Sequence, residues 1–475
     1  MSAEQTLWRH SWPHALRLRL LSMIVILVSL GCVICPLMIG WGSAKMEIGT
    51  GLQLLGLTIL VFPGAVLAFS HSKWYVPYAL MIWAITPEVR RVMDWSVDTY
   101  HPMSYISIAP LLVMCYGSLI LIKEWRKLQR HVQHVFMLLV VVLVYGVALG
   151  LSAPFPALFA LLNYAAPLLL LPYMHITKPN ASEKRLWIQL YGLLAIGVSI
   201  YGIMQYIYAP AWDVFWMEHA DMGSIGKPEP FEIRVFSTLN SPGPAASFLT
   251  GALFPMLVER KWRPLGWAGV LIVLAGLGLT LVRSSWLALI VMILVYACLS
   301  PLRKKVRLLS ALFVIIMLMM IGAPLLPGSE GVTERVATLG DIESDHSYME
   351  RMDFARELVP LIKHDPLGRG LGTTGTGTKL ANGGELGEFG VFDNGWGALL
   401  LTFGVPGTLV WTGCLLFLLW KSMQIRTGVE PTRTPYAMMS AAMIAAAIVT
   451  LMFENSLTGL TALYTWFYIG LGEHT

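Results

Sequence analysis

PLGWAGVLIVLAGLGLTLVRSSWLALIVMILVYACLS, residues 264–300, carries one charged side chain in its interior, Arg283, with an apolar block on either side. At about 1.5 Å per helical residue and about 30 Å of hydrocarbon, a crossing takes roughly 20 residues. The stretch is therefore too long for one helix and right for two, 264–282 and 284–300, that turn back at Arg283 with almost no loop between them. Arg283 then sits at or slightly below the interface; a guanidinium within the membrane costs about 2.5–3.5 kcal/mol on insertion scales and needs an anion. This hairpin decides the class: a polytopic helical membrane protein with an arginine at one rim.

Working outward, the same apolar blocks recur along the 475 residues, near 18–41, 50–69, 75–88, 104–122, 134–152, 155–176, 186–208, 242–258, 308–327, 395–420, 434–453 and 457–472. With the hairpin these predict about 12–14 transmembrane helices in a single integral membrane domain, 1–475, all-α throughout. The span at 75–88 is short enough to read as partly interfacial. Composition agrees, with 56% hydrophobic and 13% charged residues and a mean hydropathy of +0.65; soluble domains carry about 25% charged residues. The first block follows Arg17 and Arg19 and is too long for a cleaved signal, so it is expected to stay as the first helix.

Lysine and arginine near span ends favour the cytoplasmic side. Placing the N-terminus inside puts 21 of the 33 basic residues in alternate short segments around Arg9, Lys73, Arg126, Lys184, Arg260, Lys304 and Arg426. Both termini are then cytoplasmic, in a cytoplasmic (inner) membrane. Two long segments face outward, 209–241 and 328–394. Loops of that length in a compact fold are usually functional. The second contains SYMERMDFARELVPLIK, 347–363, whose apolar residues fit one face of an amphipathic helix. A glycine-rich stretch follows, 364–390, and reads as a flexible lid over a membrane-embedded cavity.

Three arginines stand on the outward side, where positive charge is scarce: Arg234 in FEIRVFSTLNSPGPAA, Arg283, and Arg351 on the loop helix. The arginine fork donates paired charge-assisted hydrogen bonds and keeps its proton, which suits a diphosphate. The alternatives are snorkelling of Arg283 to headgroups, an ordinary loop role for Arg234, and pairing of Arg351 with Glu350 or Asp353. Asp393 and Asn394, where the loop enters a span, read equally as a proton acceptor for a hydroxyl or as a helix N-cap. Glu454 and Asn455 read as an interfacial turn.

Other patterns carry less. Cys32 and Cys35 form a CxxC inside an apolar block, outside any redox or metal context. GLGTTG, 370–375, matches GxGxxG without a strand-turn-helix setting. His346 and His364 lack metal-ligand spacing. No cofactor, metal or nucleic-acid partner is expected.

In order, spacing and sidedness, RVFSTLNSPGPAASFLTGALFPML, LTLVRSSWLAL, SYMERMDFARELVPLIKHDPLGRGLG and DNGWGALLLTFGVPGTLVW resemble the O-antigen ligase and O-antigen (exopolysaccharide) polymerase superfamily, membrane glycosyltransferases of the GT-C type, over roughly residues 75–470. The resemblance implies an enzyme that ligates or polymerises undecaprenyl-diphosphate-linked glycans on the outer side of the membrane by an inverting displacement that needs no metal. It assigns Arg234 and Arg283 to the lipid diphosphate and Arg351, with Ser347, to the family's Ser-x-x-x-Arg pattern. The family's His-Asn at the loop exit is Asp393-Asn394 here, so Asp393 would take over as base, with Asn394 supporting it. The implied partners are the undecaprenyl-diphosphate-linked donor, a glycan, lipid A-core or protein acceptor, and membrane lipids, with room for a chain-length regulator or other polysaccharide assembly proteins. A protein O-oligosaccharyltransferase shares the donor. An anion or bicarbonate transporter is the alternative from another class.

Overall fold

The computed structural model describes residues 48–220, 222–322, 356, 358–390, 394–424 and 434–473. Its helices are α1 Ile48–Phe69, α2 Tyr75–Ser96, α3 Ala109–Cys115, α4 Gly117–Glu124, α5 Arg130–Leu149, α6 Pro154–Leu168, α7 Leu170–Thr177, α8 Ala181–Tyr208, α9 Ala211–His219, α10 Pro242–Val258, α11 Gly266–Leu279, α12 Arg283–Leu299, α13 Leu302–Gly322, α14 Gly395–Gln424, α15 Thr434–Thr450 and α16 Gly459–Glu473. Among the described residues there is no strand, only one isolated bridge between Gly226 and Ile233. The protein is an all-α polytopic membrane protein.

Each apolar block after the first falls on one of these helices or on a consecutive set of them as far as it is described; the block at 18–41 and residues 323–327 of the block at 308–327 lie outside the described residues. Six helical segments are long and apolar enough to cross a membrane alone: 49–69, 105–127, 130–152, 154–177, 181–208 and 395–424. α10, α11, α12 and most of α15 are apolar but shorter. One expectation changes. The helix at 75–88 runs further than its apolar block: α2 continues to Ser96 and buries Arg90, Arg91 and Asp94 in its last two turns. Those charges truncate the apolar block without ending the helix, since they are paired within it, Arg90 with Asp94 and Arg91 with Glu88, and from outside it by Asp213 and His101.

Lipid-facing surfaces show as exposed apolar stripes at helical spacing: Leu55, Ile59, Phe62 and Val66 on α1, and Leu138, Val141 and Val144 on α5. Inside, small residues let backbones approach, as helix packing in lipid requires. Ala437, Ala441, Ala442, Ala446 and Ala447 of α15 are all buried against α12, α14 and α16. Buried tyrosines satisfy their hydroxyls on α10, Tyr191 donating to Phe248 O at 2.9 Å and Tyr468 to Gly251 O at 2.8 Å.

The glycine-rich stretch corrects the expectation of a flexible lid. α14 breaks at Gly404 (φ 65°, ψ −171°), and the loop backbone fills the break. Arg369 N donates to Leu401 O (2.6 Å), Gly370 N to Thr402 O (3.0 Å), and Val405 N to Pro366 O (2.9 Å). Leu371, 1% exposed, is bonded through its N–H to Gly146 O of α5. Here glycine is obligatory. A Cβ on Gly368 (φ 87°) would lie 2.4 Å from Gly404 N, and one on Gly404 would lie 2.3 Å from Leu367 C. Backbone groups released inside a membrane must find partners in the protein, and this segment provides them.

Candidate functional site

The hairpin of α11 and α12 turns at residues 280–282, and Arg283 is the first residue of α12. Val282 precedes it at the N-cap position and makes no side-chain cap. The positive end of the α12 dipole and the first-turn N–H groups thus add to the Arg283 charge. Arg283 and Arg234 are both half-buried.

Arg234 arrives from a different part of the chain. Its strip, 234–239, is laid against α2 and α8 by buried polar contacts. Gln205 Oε1 accepts from Phe236 N at 3.1 Å and from Ser237 N at 2.8 Å, and Ser237 Oγ donates to Val198 O at 2.6 Å. Arg91, fully buried, donates to the carbonyls of Ser237 and Leu239. The strip also meets α11, Val235 N donating to Leu279 O at 3.2 Å. Its Arg234 side chain then closes on the hairpin turn, with Nε donating to Thr280 O (2.8 Å), Nη2 to Leu281 O (3.2 Å) and Nη1 to Ser224 O (3.3 Å). The two arginines therefore meet at one turn, with Arg234 spending several donors on the carbonyls that lead into Arg283.

Arg91 is balanced by Asp213 of α9, also fully buried, at 2.8 Å, and by Glu88. Tyr201 and Gln205 donate to Asp213 Oδ2 at 2.9 and 2.8 Å. Burial first pushes the Asp213 carboxyl up, to about 6, and Glu88 adds to this, while Arg91 and the two hydrogen bonds oppose it. Beside this cluster Asp94 holds Arg90 (3.6 Å) and His101 (2.8 Å). Lys379 sits nearby, its pKa lowered by burial and then by the Arg90 cation. Sequence reading missed Arg90 and Arg91. The available signal was a pair of arginines inside a helix otherwise fit to span.

Below the hairpin turn lies a small, partly open cavity of about 10 Å³, room for about one water, between α10, α12, α15 and α16. Its wall includes Ser247, Thr250, Ser285, Thr461 and Tyr464, with Met292 and Met443 toward the apolar side and Glu454 from the turn between α15 and α16. Ser285 stands two residues on from Arg283. Glu454 Oε1 accepts from Ser247 Oγ at 3.1 Å, so this residue belongs to the cavity and not merely to an interfacial turn.

Asn394 is the N-cap of α14, its Oδ1 accepting from Gly397 N at 3.0 Å. The start of that helix rests on the Glu454 turn. Trp396 N donates to Leu451 O at 3.0 Å, and a Cβ on Gly395 would lie 2.3 Å from Glu454 O. Asp393, Arg351 and Ser347 lie outside the described residues, as do Cys32, Cys35 and His346. Of the loop helix, residues 358–364 are described and helical, with Leu358 buried. His364 is exposed and pairs with Asp365 at 3.0 Å. Arg369 also bonds Asp365 at 2.8 Å, and these two partners, Arg369 first, hold the Asp365 carboxyl below its ordinary value.

No curated protein matches the chain. Residues 268–412, a minority of the chain that runs from α11 past Arg283 and the glycine-rich segment into the second half of α14, match the family model described as O-antigen ligase. Over that segment the chain is similar to the O-antigen ligase family, which supports its resemblance to the O-antigen ligase and polymerase superfamily.

Proposed function

We propose that the protein transfers or polymerises glycans carried on a polyprenyl diphosphate, at the non-cytoplasmic face of the cytoplasmic membrane. The observation that carries this reading is the convergence of Arg234 and Arg283 on one helix hairpin above a hydroxyl-lined cavity. The residues at the rim suit a diphosphate, and the exposed apolar helix surfaces suit its lipid tail. Arg234 fixes the turn, and Arg283 with the α12 N-terminus faces the anion.

In this mechanism an acceptor hydroxyl attacks the anomeric carbon of the donor sugar while the diphosphate departs from the opposite face, inverting the configuration. Charge grows on the leaving oxygens, and fixed donors aimed at them lower the barrier. Arg351 and Ser347, from the loop helix, would complete the grip. A carboxylate where the loop joins α14 would receive the proton, Asp393 being the residue the family pattern implies. Undecaprenyl as the lipid, and a glycan or lipid A-core as the acceptor, follow from the family alone.

The test is transfer in vesicles supplied with a polyprenyl-diphosphate-linked glycan. Wild-type protein should release polyprenyl diphosphate and lengthen or ligate the glycan, and Arg283→Lys should turn over about 10²-fold more slowly or worse, since an ammonium cannot reproduce the fork. Undiminished turnover by the lysine variant rejects the diphosphate role.

A further inference from the structure

At the end of the bundle opposite Arg234 and Arg283, α10 gives way to α11 through a short connection, ERKWRPL, 259–265, that carries three cations. A single 3-10 turn, Arg260–Trp262, follows α10. It is anchored from within. Trp262 is fully buried and packs on Tyr436 of α15 with ring centroids 5.4 Å apart, while Gln189 of α8 donates to Lys261 O at 2.9 Å. Pro264 rests on α8, where a Cβ on Gly192 would meet it at 2.9 Å. The charged side chains therefore stand on a fixed ledge.

Protein groups answer these charges only in part. Arg263 Nε donates to Met256 O at 2.8 Å and Nη2 to Leu257 O at 3.5 Å, both in the last turn of α10, and its Cζ lies 3.9 Å from the centroid of the Trp267 ring. That stacking holds the guanidinium fork on an exposed tryptophan, with Nη1 left open. Lys261 Nζ stands over the Trp262 and Tyr436 rings, at 5.1 and 5.9 Å. Lys184 of α8 reaches the same Tyr436 ring at 5.1 Å, and the exposed Arg185 follows it. The two carboxylates closest in sequence are already engaged. Glu183 accepts from Asn180 N at 2.9 Å as part of a helix cap, and Glu259 is held by Lys304 and by the Tyr296 hydroxyl at 3.0 Å. Arg185, Arg260 and Lys261 form no ion pair among the described residues. Burial, and then the Arg260 cation, lower the Arg263 pKa.

Beyond the ledge the surface turns apolar. Leu265 and Trp267 are 65% and 56% exposed, and Leu271, one turn further along α11, is 55% exposed. Cations without carboxylates, then a tryptophan, then an apolar stripe is the order in which a lipid presents an anionic head and its hydrocarbon chains.

We propose that Arg260, Lys261 and Arg263, with Arg185 beside them, bind the headgroup of an anionic phospholipid whose acyl chains lie along Trp267 and Leu271. The open donors of Arg260 and Arg263 suit the phosphate oxygens. Under the topology expected from the basic segments, this is a lipid of the cytoplasmic leaflet, and the site is independent of the glycan-transfer reading.

The experiment uses full-length protein in micelles holding equal amounts of phosphatidylglycerol and phosphatidylcholine with the same acyl chains, and counts retained lipids by native mass spectrometry. Wild type should keep phosphatidylglycerol in preference. Arg260→Gln with Lys261→Gln should weaken its retention about 25-fold, from about fivefold for each charge removed. Lys123→Gln with Arg126→Gln takes the same charge from the basic segment after α4 and should leave retention unchanged. Both pairs alter exposed side chains and should melt as wild type does; if the first fails to accumulate, Arg185→Gln with Arg260→Gln decides in its place. Equal retention of the two lipids by wild type overturns the site, as does retention within about threefold of wild type in the first pair. An equal loss in the second pair overturns it too, since overall charge would then be the cause.

Discussion

Arginines and carboxylates at this end of the bundle divide by what they touch. Arg91 and Asp213 face each other with no exposure, so removing one partner strands a buried charge. Asp213→Ala should cost about 3–5 kcal/mol, measured as a large fall in detergent-solubilised melting temperature. Asp213→Asn gives the pH sign. The folded carboxyl is pushed up to about 6 from an ordinary 3.8, so the native state binds more protons than the unfolded one between those values. Its contribution is fully present below pH about 4 and is lost as pH rises through about 6. The melting temperature of the wild type should fall more steeply across that window than that of Asp213→Asn; equal slopes would reject the shift. Arg283 was legible as a lone charge between apolar blocks. Arg234 was legible as a rim arginine, but its bonds to Thr280 and Leu281 depend on a turn some 46 residues away, which no local pattern encodes. Glu454 looked like a turn residue because its partner, Ser247, is 207 positions distant.

At the scale of elements, apolar run length located the helices well because the bilayer imposes a length on each crossing. It failed where charges are neutralised from outside the segment, as at the end of α2. It also misread glycine. In a soluble loop the stretch after His364 would signal flexibility, whereas here the absent side chains let its backbone dock into the break in α14. Gly368→Ala should therefore destabilise the protein by more than about 2 kcal/mol, since φ 87° strains alanine and the added carbon strikes the backbone of Gly404. Thermal unfolding, or the yield of folded protein, reads this directly. Gly413→Ala, on an open face of the same helix, where an added Cβ meets nothing within 4 Å, serves as the comparison and should be near neutral.

Across the whole molecule the polar clusters, the arginine pair and the docked loop gather at one end of a bundle whose flanks are apolar. The alternating basic segments are the ground for proposing that this end faces the non-cytoplasmic side. A cysteine placed at His364, which is exposed, in a background without native cysteines should react with an impermeant maleimide added to intact spheroplasts. One at Lys421 should react only after the membrane is opened. The reverse result would invert the topology and with it the face on which transfer is proposed.

Because residues 366–370 are hydrogen-bonded into α14, the glycine-rich segment and that helix form one exchangeable cassette. Chimeras that borrow only the loop from a relative would carry the donors without their matching acceptors. Moving the boundary back to include all of α14 keeps each stitch with its cloth, so specificity swaps in this protein should be cut at the end of that helix and not at the membrane surface.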